Sequence, residues 1–211
     1  MSVDILHIDC MEYMAGLEDN AFDLAIVDPP YGIGVNVSIG RRKGQPSSGY
    51  KRFAGGDKSP PPAGYFQELF RVSLNQIVWG ANHFIDLMPI PSPCWLMWDK
   101  GFSEDVSFAQ YELAWSSFST TAKKYEKSPN DKHRIHPTQK PVKLYEWLLS
   151  NYAKEGDRIL DTHLGSGSSA IAAHYGGFDF VGTELDTDYY AAAVKRFDME
   201  TKQLDLLSEP S

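Results

Sequence analysis

This chain has little cysteine, no long apolar run and no even spread of positive charge. Cys10 and Cys94 are the only cysteines among its 211 residues, which supports neither a disulfide framework nor a cysteine zinc site. No apolar stretch approaches the ~20 residues that cross a bilayer, and the first ten residues lack the basic start and apolar core of a secretory signal. We therefore expect a cytoplasmic protein without a membrane segment. The six histidines show no ligand spacing, so no bound metal is expected.

Basic residues are concentrated in two segments, although the net charge of the chain is −8. Residues 33–58 and 121–143 together contain 13 of the 20 lysines and arginines but only 3 of the 28 aspartates and glutamates. Such segregation fits a protein that presents two basic segments to a polyanion and repels it elsewhere. Two solvated basic loops are the alternative that charge alone leaves open.

Short apolar runs alternate with helix-like segments, which predicts a mostly parallel sheet with helices on both faces. The predicted strands are Ile5–Ile8, Leu24–Val27, Gln76–Trp79, Cys94–Trp98, Glu112–Trp115, Arg158–Leu160 and Phe178–Gly182. The predicted helices are Cys10–Leu17, Tyr65–Leu74, Lys143–Tyr152, Ser168–Tyr175 and Thr187–Met199. We expect residues 1–211 to form one domain, with a mobile basic loop at 33–62 and a segment of unassigned structure at 116–137.

One apolar run ends abruptly at the tetrapeptide Asp28-Pro29-Pro30-Tyr31. Two consecutive prolines cannot continue a strand or a helix, so a plain turn is one interpretation. The other is a rigid jaw for a flat, polar group. The carboxylate and the carbonyl before the second proline would accept hydrogen bonds, and the aromatic ring would stack. The tetrapeptide alone does not decide between the two.

A second segment reads as strand, tight glycine turn, helix, strand and acidic residue, from Asp157 to Asp186. Gly165 and Gly167 permit a sharp bend and a close ligand approach, and Ser168 is expected to cap the helix that follows. Glu184 ends the next strand, where a carboxylate can bind both hydroxyls of a ribose. The glycines also fit a looser dinucleotide pattern, but Asp161 before the turn would repel a pyrophosphate and suits the cationic S-adenosylmethionine.

Taken together, Asp28–Tyr31 and the Asp161–Gly167 turn resemble the amino-methyltransferases of DNA, in the permuted order of their beta class. The segments "HPTQKP" and "GTELDTDYYAAAVKRF" resemble further motifs of that class, and "VWGANHF" and "WLMWDK" resemble its weaker, scaffold-type motifs. The resemblance runs from Asp9 to Arg196. It implies a Rossmann-like α/β fold with a seven-stranded, mostly parallel sheet and S-adenosylmethionine as methyl donor. The chain departs from the class at Asp161-Thr162-His163, where the class usually has Asp-Pro-Phe. In place of the sizeable target-recognition insert of the class it has only the short segment 116–137, which would be its target-recognition segment.

The resemblance assigns roles to three groups of residues. Asp28, Pro29, Pro30 and Tyr31 would be catalytic, because they would grip and stack a base that has left the duplex. The cofactor would meet Asp9, Cys10, Thr138, Lys140, Asp161, His163, Gly165, Ser166, Gly167 and Glu184. Thr138 and Lys140 would bind its carboxylate, and a plain helix-start role before Pro141 is the alternative for these two. DNA phosphates would meet the basic segments at Arg41, Arg42, Lys43, Lys51, Arg52, Lys123, Lys124 and Arg134. Trp79, Trp98 and Trp115 are expected in the core rather than as stacking platforms.

The function that these residues imply is methylation of the N6 amino group of adenine in DNA, as in restriction-modification systems. Asp at the first jaw position is typical of adenine enzymes of this class, whereas cytosine-N4 enzymes more often carry Ser there. A cytosine-N4 enzyme, an RNA or protein methyltransferase and a non-enzymatic DNA-binding module remain alternatives. Recognition of the target sequence would come from the basic segments, would come from a second subunit, or would be lax, so a homodimer is also left open.

Overall fold

The structure, a computed structural model, describes residues 1–34, 57, 59–102, 109–129, 134–136 and 138–205. Its described part contains an eight-stranded sheet and five α-helices. The strands are β1 (Val3–His7), β2 (Phe22–Val27), β3 (Ser73–Trp79), β4 (Leu96–Asp99), β5 (Tyr111–Ser116), β6 (Lys123–Glu126), β7 (Arg158–Asp161) and β8 (Asp179–Glu184). The helices are α1 (Cys10–Ala15), α2 (Ala63–Val72), α3 (Val142–Tyr152), α4 (Ser168–Gly176) and α5 (Thr187–Asp205).

The sheet has the strand order β1-β8-β7-β2-β3-β5-β4-β6. All strands run in the same direction except β5, which pairs antiparallel with β3 and β4. This confirms the predicted α/β fold and its mostly parallel sheet. The prediction of seven strands is wrong, because β6 was not recognised. Its sequence, Lys-Lys-Tyr-Glu, lies at the sheet edge and buries only alternate residues, so it lacks the apolar run that marks a central strand.

Each face of the sheet carries its own apolar core. Leu24 and Ile26 of β2 face one core together with Leu148 of α3. Ala25 and Val27, the alternate residues of the same strand, face the other core with α1 and α2. A strand buried on both faces needs a continuous apolar run, which is the pattern from which β2 was predicted. The three tryptophans of the strands, at 79, 98 and 115, are all at most 2% exposed, as expected for core residues.

Within the described ranges, no helix combines the length and the apolar character needed to cross a membrane.

Candidate active site

The jaw tetrapeptide and the glycine turn lie at the same edge of the sheet. Strands β2 and β7 are parallel neighbours, with Leu24 opposite Ile159. Asp28 directly follows β2, and Asp161 is the last residue of β7, so both carboxyl groups lie where neighbouring strands end. The negative charge of Asp28 contributes to raising the pKa of Asp161. The fold therefore brings together two motifs that are more than 130 residues apart in the chain.

Both carboxylate oxygens of Asp28 are already engaged. The Tyr31 hydroxyl donates a hydrogen bond to Oδ1 at 2.6 Å, and the Lys140 ammonium lies 2.5 Å from Oδ2. The Lys140 side chain is 2% exposed and that of Asp28 is 15% exposed. A buried charge is tolerated when it is paired and hydrogen-bonded, and this pair meets both conditions.

Lys140 is shared with a second carboxylate, Glu112, near the start of β5. Its ammonium lies 2.9 Å from Oε2 of Glu112, while the ammonium of Lys100 lies 2.7 Å from Oε1. Although burial disfavours its charge, Lys140 and Lys100 hold the pKa of Glu112 at about 2. Burial raises the pKa of Asp28, and Lys140 opposes that rise. Of the two carboxylates, Asp28 therefore has the higher affinity for a proton.

The Tyr31 ring packs against the segment that follows β3. It stacks on the His83 ring, with centroids 5.3 Å apart and planes 18° apart. Gly80 lies against the ring edge, because a Cβ at this position would stand 2.1 Å from Cε1 of Tyr31. The predicted stacking of Tyr31 on a target base remains a prediction. In the structure, one face of the ring is already covered by His83.

The glycine turn is held by residues outside it. Gly165 and Gly167 have φ angles of +53° and +74°, the left-handed region that glycine adopts without strain. Arg196 of α5 donates to the Ser166 carbonyl at 3.0 Å and to the Ser168 hydroxyl at 2.9 Å. These two hydrogen bonds from a buried arginine stabilise the backbone conformation of the turn.

The prediction that Ser168 caps α4 is wrong. Gly167 is the N-cap residue, and Ser168 is the first residue inside the helix. The Ser168 side chain therefore cannot reach the free N–H groups of the first turn. Its hydroxyl donates instead to the Lys140 carbonyl at 2.8 Å, which ties the "HPTQKP" segment to the turn.

Three carboxylates surround the glycine turn at the ends of adjacent strands. Asp9 follows β1 and caps α1 by accepting from the Met11 and Glu12 amides. Glu184 ends β8 and accepts from the Gly165 amide at 2.9 Å. Burial, together with the charges of Asp28 and Glu184, raises the pKa of Asp161 to about 7, although hydrogen bonds from Ser169 and from the His163 amide oppose the rise.

This donor set fits S-adenosylmethionine, which carries a sulfonium, an ammonium and two ribose hydroxyls. No lysine or arginine of the described residues forms an ion pair with Asp161, so a cationic ligand would relieve the crowding of negative charge. The space above Gly165 is open, since a Cβ there would meet nothing nearer than the His136 ring at 3.9 Å. His136 in turn lies edge-on to Tyr189, with centroids 4.3 Å apart.

Cys10, Thr138 and Lys140 were also predicted to meet the cofactor, and the side chain of Lys140 is directed elsewhere. Cys10 begins α1 beside Asp9, and burial raises the pKa of its thiol to about 12, so it is an uncharged packing residue at neutral pH. The Thr138 hydroxyl lies 3.0 Å from Nδ1 of His136. Lys140, predicted to bind the carboxylate of the cofactor, directs its ammonium at Asp28 and Glu112. Its charge therefore serves the jaw in this structure.

His163, where the class usually has Phe, is partly buried against α2. Its ring lies edge-on to Tyr65 at 5.3 Å, and its Nδ1 lies 2.9 Å from the Thr162 hydroxyl. Burial lowers the pKa of His163 to about 4. The side chain is therefore neutral at physiological pH and occupies an aromatic position.

Changing His163 to Phe is expected to flatten the response of stability to acid. A histidine whose pKa is lower in the folded state binds more protons when unfolded, so stability falls as the pH drops from about 6.5 towards 4. The variant should lose less free energy of unfolding between pH 7 and pH 5 than the wild type. Urea denaturation at both pH values measures this, and an equal or larger loss in the variant would contradict the assignment. His136, also with a pKa of about 4, remains in both proteins.

The predicted DNA-contacting residues are only partly described. Arg41, Arg42, Lys43, Lys51 and Arg52, and with them most of the predicted loop at 33–62, lie outside the described residues. At the ends of that loop, the Gly32 amide donates to the Asp57 carboxylate at 2.7 Å and the Gly34 amide to the Asp57 carbonyl at 2.8 Å.

Two of the remaining basic residues lie on the edge strand β6. Lys123 is at the start of this strand, at the opposite end from the jaw, and donates to Asn151. Lys124 forms ion pairs with Asp99 and Glu126. Arg134 lies near His136, whose pKa its charge helps to lower. Contact of these three residues with DNA remains a prediction.

Sequence reasoning missed three residues that contact Tyr31, namely Gly80, His83 and Glu112, and a fourth, Lys100, that pairs with Glu112. Gly80 and His83 belong to "VWGANHF" and Lys100 to "WLMWDK", both of which were interpreted as scaffold. Glu112 was placed only as the start of a strand. An acidic residue opening an otherwise apolar strand was the available signal, since a charge in that position needs a partner.

The described residues contain no group of three histidine, cysteine, aspartate or glutamate side chains arranged to hold a metal ion.

Comparisons with known proteins identify the family of this chain. Residues 76–195, more than half of the chain, match the N6_N4_Mtase family, described as DNA methylase. YubD of Escherichia coli (strain K12) is 27% identical over 89% of this chain and 87% of its own length. Several type II methyltransferases match over shorter segments, which amount to between 23% and 26% of their own lengths.

Solved structures share the fold. The complex of M1.HpyAVI with S-adenosylmethionine has a TM-score of 0.61 at 17% identity, covering 93% of this chain and all of the other. The cytosine-N4-specific PvuII DNA methyltransferase has the same TM-score at 13% identity, covering 92% and 85%. The family match, the fold and the paired motifs at one sheet edge lead to one conclusion: the chain belongs to the N6/N4 family of DNA methylases, whose methyl donor is S-adenosylmethionine.

Proposed function

We propose that this protein methylates the N6 amino group of adenine in DNA. The observation that supports this most strongly is the placement of Asp28 and Asp161 at the ends of neighbouring parallel strands. A base gripped at the first would lie beside a cofactor bound at the second. S-adenosylmethionine, held by Asp9, Asp161, Glu184 and the glycine turn, would supply an electrophilic methyl group.

The jaw would raise the reactivity of a poor nucleophile. The lone pair of an exocyclic amino group is delocalised into the base, but the Asp28 carboxylate and the Pro29 carbonyl can each accept one of its hydrogens. Together they would favour a pyramidal nitrogen and stabilise the positive charge that develops during attack. Pro29 and Pro30 hold the backbone rigid, so both acceptors are aimed before the base arrives.

Base binding would require an exchange of partners at Asp28. Oδ1 accepts from the Tyr31 hydroxyl, so an amino hydrogen would replace that bond or share the oxygen. Tyr31, once its hydroxyl is released, could present its ring to the base while His83 supports the opposite face. After methyl transfer the nitrogen must lose a proton. Asp28, the jaw carboxylate with the raised pKa, would accept it.

Adenine is preferred over cytosine because Asp occupies the first jaw position, the residue typical of adenine enzymes of the class that this chain resembles. The comparison with the cytosine-N4-specific PvuII enzyme makes N4-methylcytosine the second candidate product. RNA or protein as substrate receives no support from the family match.

Mass analysis of digested nucleosides identifies the product. Duplex DNA incubated with the protein and methyl-labelled S-adenosylmethionine should yield labelled N6-methyladenine, and sequencing that detects modified bases should place it at a recurring site. Labelled N4-methylcytosine in place of N6-methyladenine would show that cytosine is the target base. Label found in RNA or protein, with none in DNA, would contradict the proposal.

A further inference from the structure

We propose that Lys140 is a positioning residue of the jaw, where its ammonium keeps Asp28 ionised and aimed, and that Glu112 limits this effect by sharing the same ammonium. The inference rests on the proposed function, since it concerns the reaction at that jaw. It moves Lys140 from the cofactor, where the sequence resemblance put it, to the base-binding group.

Geometry places the ammonium between the two carboxylates. Nζ of Lys140 lies 2.5 Å from Asp28 and 2.9 Å from Glu112, and it also donates to the Tyr31 hydroxyl at 3.2 Å. The rings of Trp79 and Tyr31 lie 5.3 and 5.7 Å from it, so apolar faces enclose the remaining sides. With carboxylates, a hydroxyl and two rings around it, the ammonium is committed to the jaw.

The backbone of Lys140 has a different attachment. Its carbonyl accepts from Ser168 in the first turn of α4, and Arg196 donates to the same hydroxyl. One residue thus contacts the helix behind the glycine turn through its main chain and Asp28 through its side chain. This arrangement fixes the distance between the cofactor turn and the jaw, which an in-line transfer requires.

The charges around Asp28 determine what removal of each partner does. Lys140 is the cation beside it. Glu112 of β5 and Asp161 of β7 are the nearby anions. The Tyr31 hydroxyl donates to Asp28, and the charge of Asp28 also helps to raise the pKa of Tyr65 and Tyr145. Lys100 is paired with Glu112. Loss of the Lys140 charge favours protonated Asp28, whereas loss of the Glu112 charge favours ionised Asp28. The two substitutions should therefore have opposite effects.

The pH dependence of kcat on DNA tests this. If ionised Asp28 grips the amino group, the acid limb of the profile reports its protonation. Lys140→Met should move that limb to higher pH by about one unit or more, and Glu112→Gln should move it to lower pH. Shifts in the same direction, or no shift in either variant, would overturn the proposal, because a merely structural defect has no reason to reverse sign.

Binding of S-adenosylmethionine without DNA separates the two locations for Lys140. By isothermal titration, the dissociation constant of Lys140→Met should stay within about threefold of the wild-type value. A loss of tenfold or more would place the ammonium on the cofactor and overturn the assignment. Lys143→Met is the matched control, because Lys143 lies three residues away, is 66% exposed and pairs only with Glu146 among the described groups. It should match the wild type in both measurements.

A readout without catalysis keeps this inference separate from the proposed function. Without its cation, buried Asp28 is expected to take up protons more readily when folded than when unfolded, so Lys140→Met should lose more thermal stability at pH 8 than at pH 5. Adding Asp28→Asn should remove most of that extra loss, whereas an equal loss at both pH values would contradict the pairing. Should the wild type fail to methylate DNA while this pattern holds, the proposed function fails and the charge pairing stands.

Discussion

Replacing Asp28 with Ala should lower kcat for methyl transfer by about 10³-fold, the loss found when an aimed electrostatic contact to developing charge is removed. The carboxylate is one of only two acceptors that the jaw offers to the amino group, and alanine replaces it with nothing. Binding of S-adenosylmethionine should persist, because Asp9, Asp161, Glu184 and the glycine turn are untouched. Single-turnover transfer of labelled methyl groups and isothermal titration of the cofactor measure the two effects separately.

The fold should survive this substitution, since Lys140 retains Glu112 as an ion-pair partner. Asp86→Ala provides a matched control, because Asp86 is exposed in a short 3₁₀ turn and should leave turnover unchanged. Turnover of Asp28→Ala close to that of the wild type would mean that the jaw does not act on the nucleophile. A parallel loss of cofactor binding would mean that Asp28 belongs to the cofactor site.

Replacing Gly80 with Ala should both destabilise the protein and displace Tyr31. The added Cβ would stand 2.1 Å from a carbon of the Tyr31 ring, so the ring or the backbone must move. Gly80 also has a φ of +71°, which costs an alanine ~1–2 kcal/mol, and overpacking adds ~1–3 kcal/mol. The free energy of unfolding in urea should fall accordingly. The KM for DNA should rise, since Tyr31 would no longer be held against His83.

Gly156→Ala is a control that separates the steric clash with Tyr31 at position 80 from the backbone strain of an alanine at positive φ. Gly156 has a φ of +86°, and a Cβ there would have no neighbour within 4 Å. This variant should show the conformational penalty alone, with an unchanged KM. Equal destabilisation in the two variants would show that Tyr31 does not depend on the space at Gly80.

Most of the fold could be predicted because its signals are local. Residues of β2 form a continuous apolar run that a doubly covered parallel strand needs, and the alternation of such runs with helical segments specifies the layers. Strand β6 was not recognised because Lys123–Glu126, which pairs with β4 alone among the described strands, has no apolar run. Edge strands often carry charged side chains, which protect against aggregation. Such strands lack the apolar pattern from which strands are predicted.

The site was only half visible for a related reason. Asp28–Tyr31 and Gly165–Gly167 are contiguous motifs whose backbone requirements show in the sequence. The ion pairs of Glu112 with Lys140 and Lys100 join three separate parts of the chain through side chains. The spacing of these residues in the sequence does not predict the pairs. A buried ion pair is recognised only when the fold brings its members together. The contact between Gly80 and Tyr31 is hidden in the same way, because it depends on how two strand ends meet.

A crystal structure with bound S-adenosylmethionine tests the shared location of jaw and cofactor most directly. A base nitrogen must fit between the donor's methyl carbon and Asp28, at ~3–3.5 Å from the carbon and ~3 Å from the carboxylate. The distance from that carbon to the nearer Asp28 oxygen should therefore be at most about 6–7 Å, with open space between them. A cofactor seated at Asp9 and Glu184 with its methyl group directed away from Asp28, or blocked from it by protein atoms, would contradict the account.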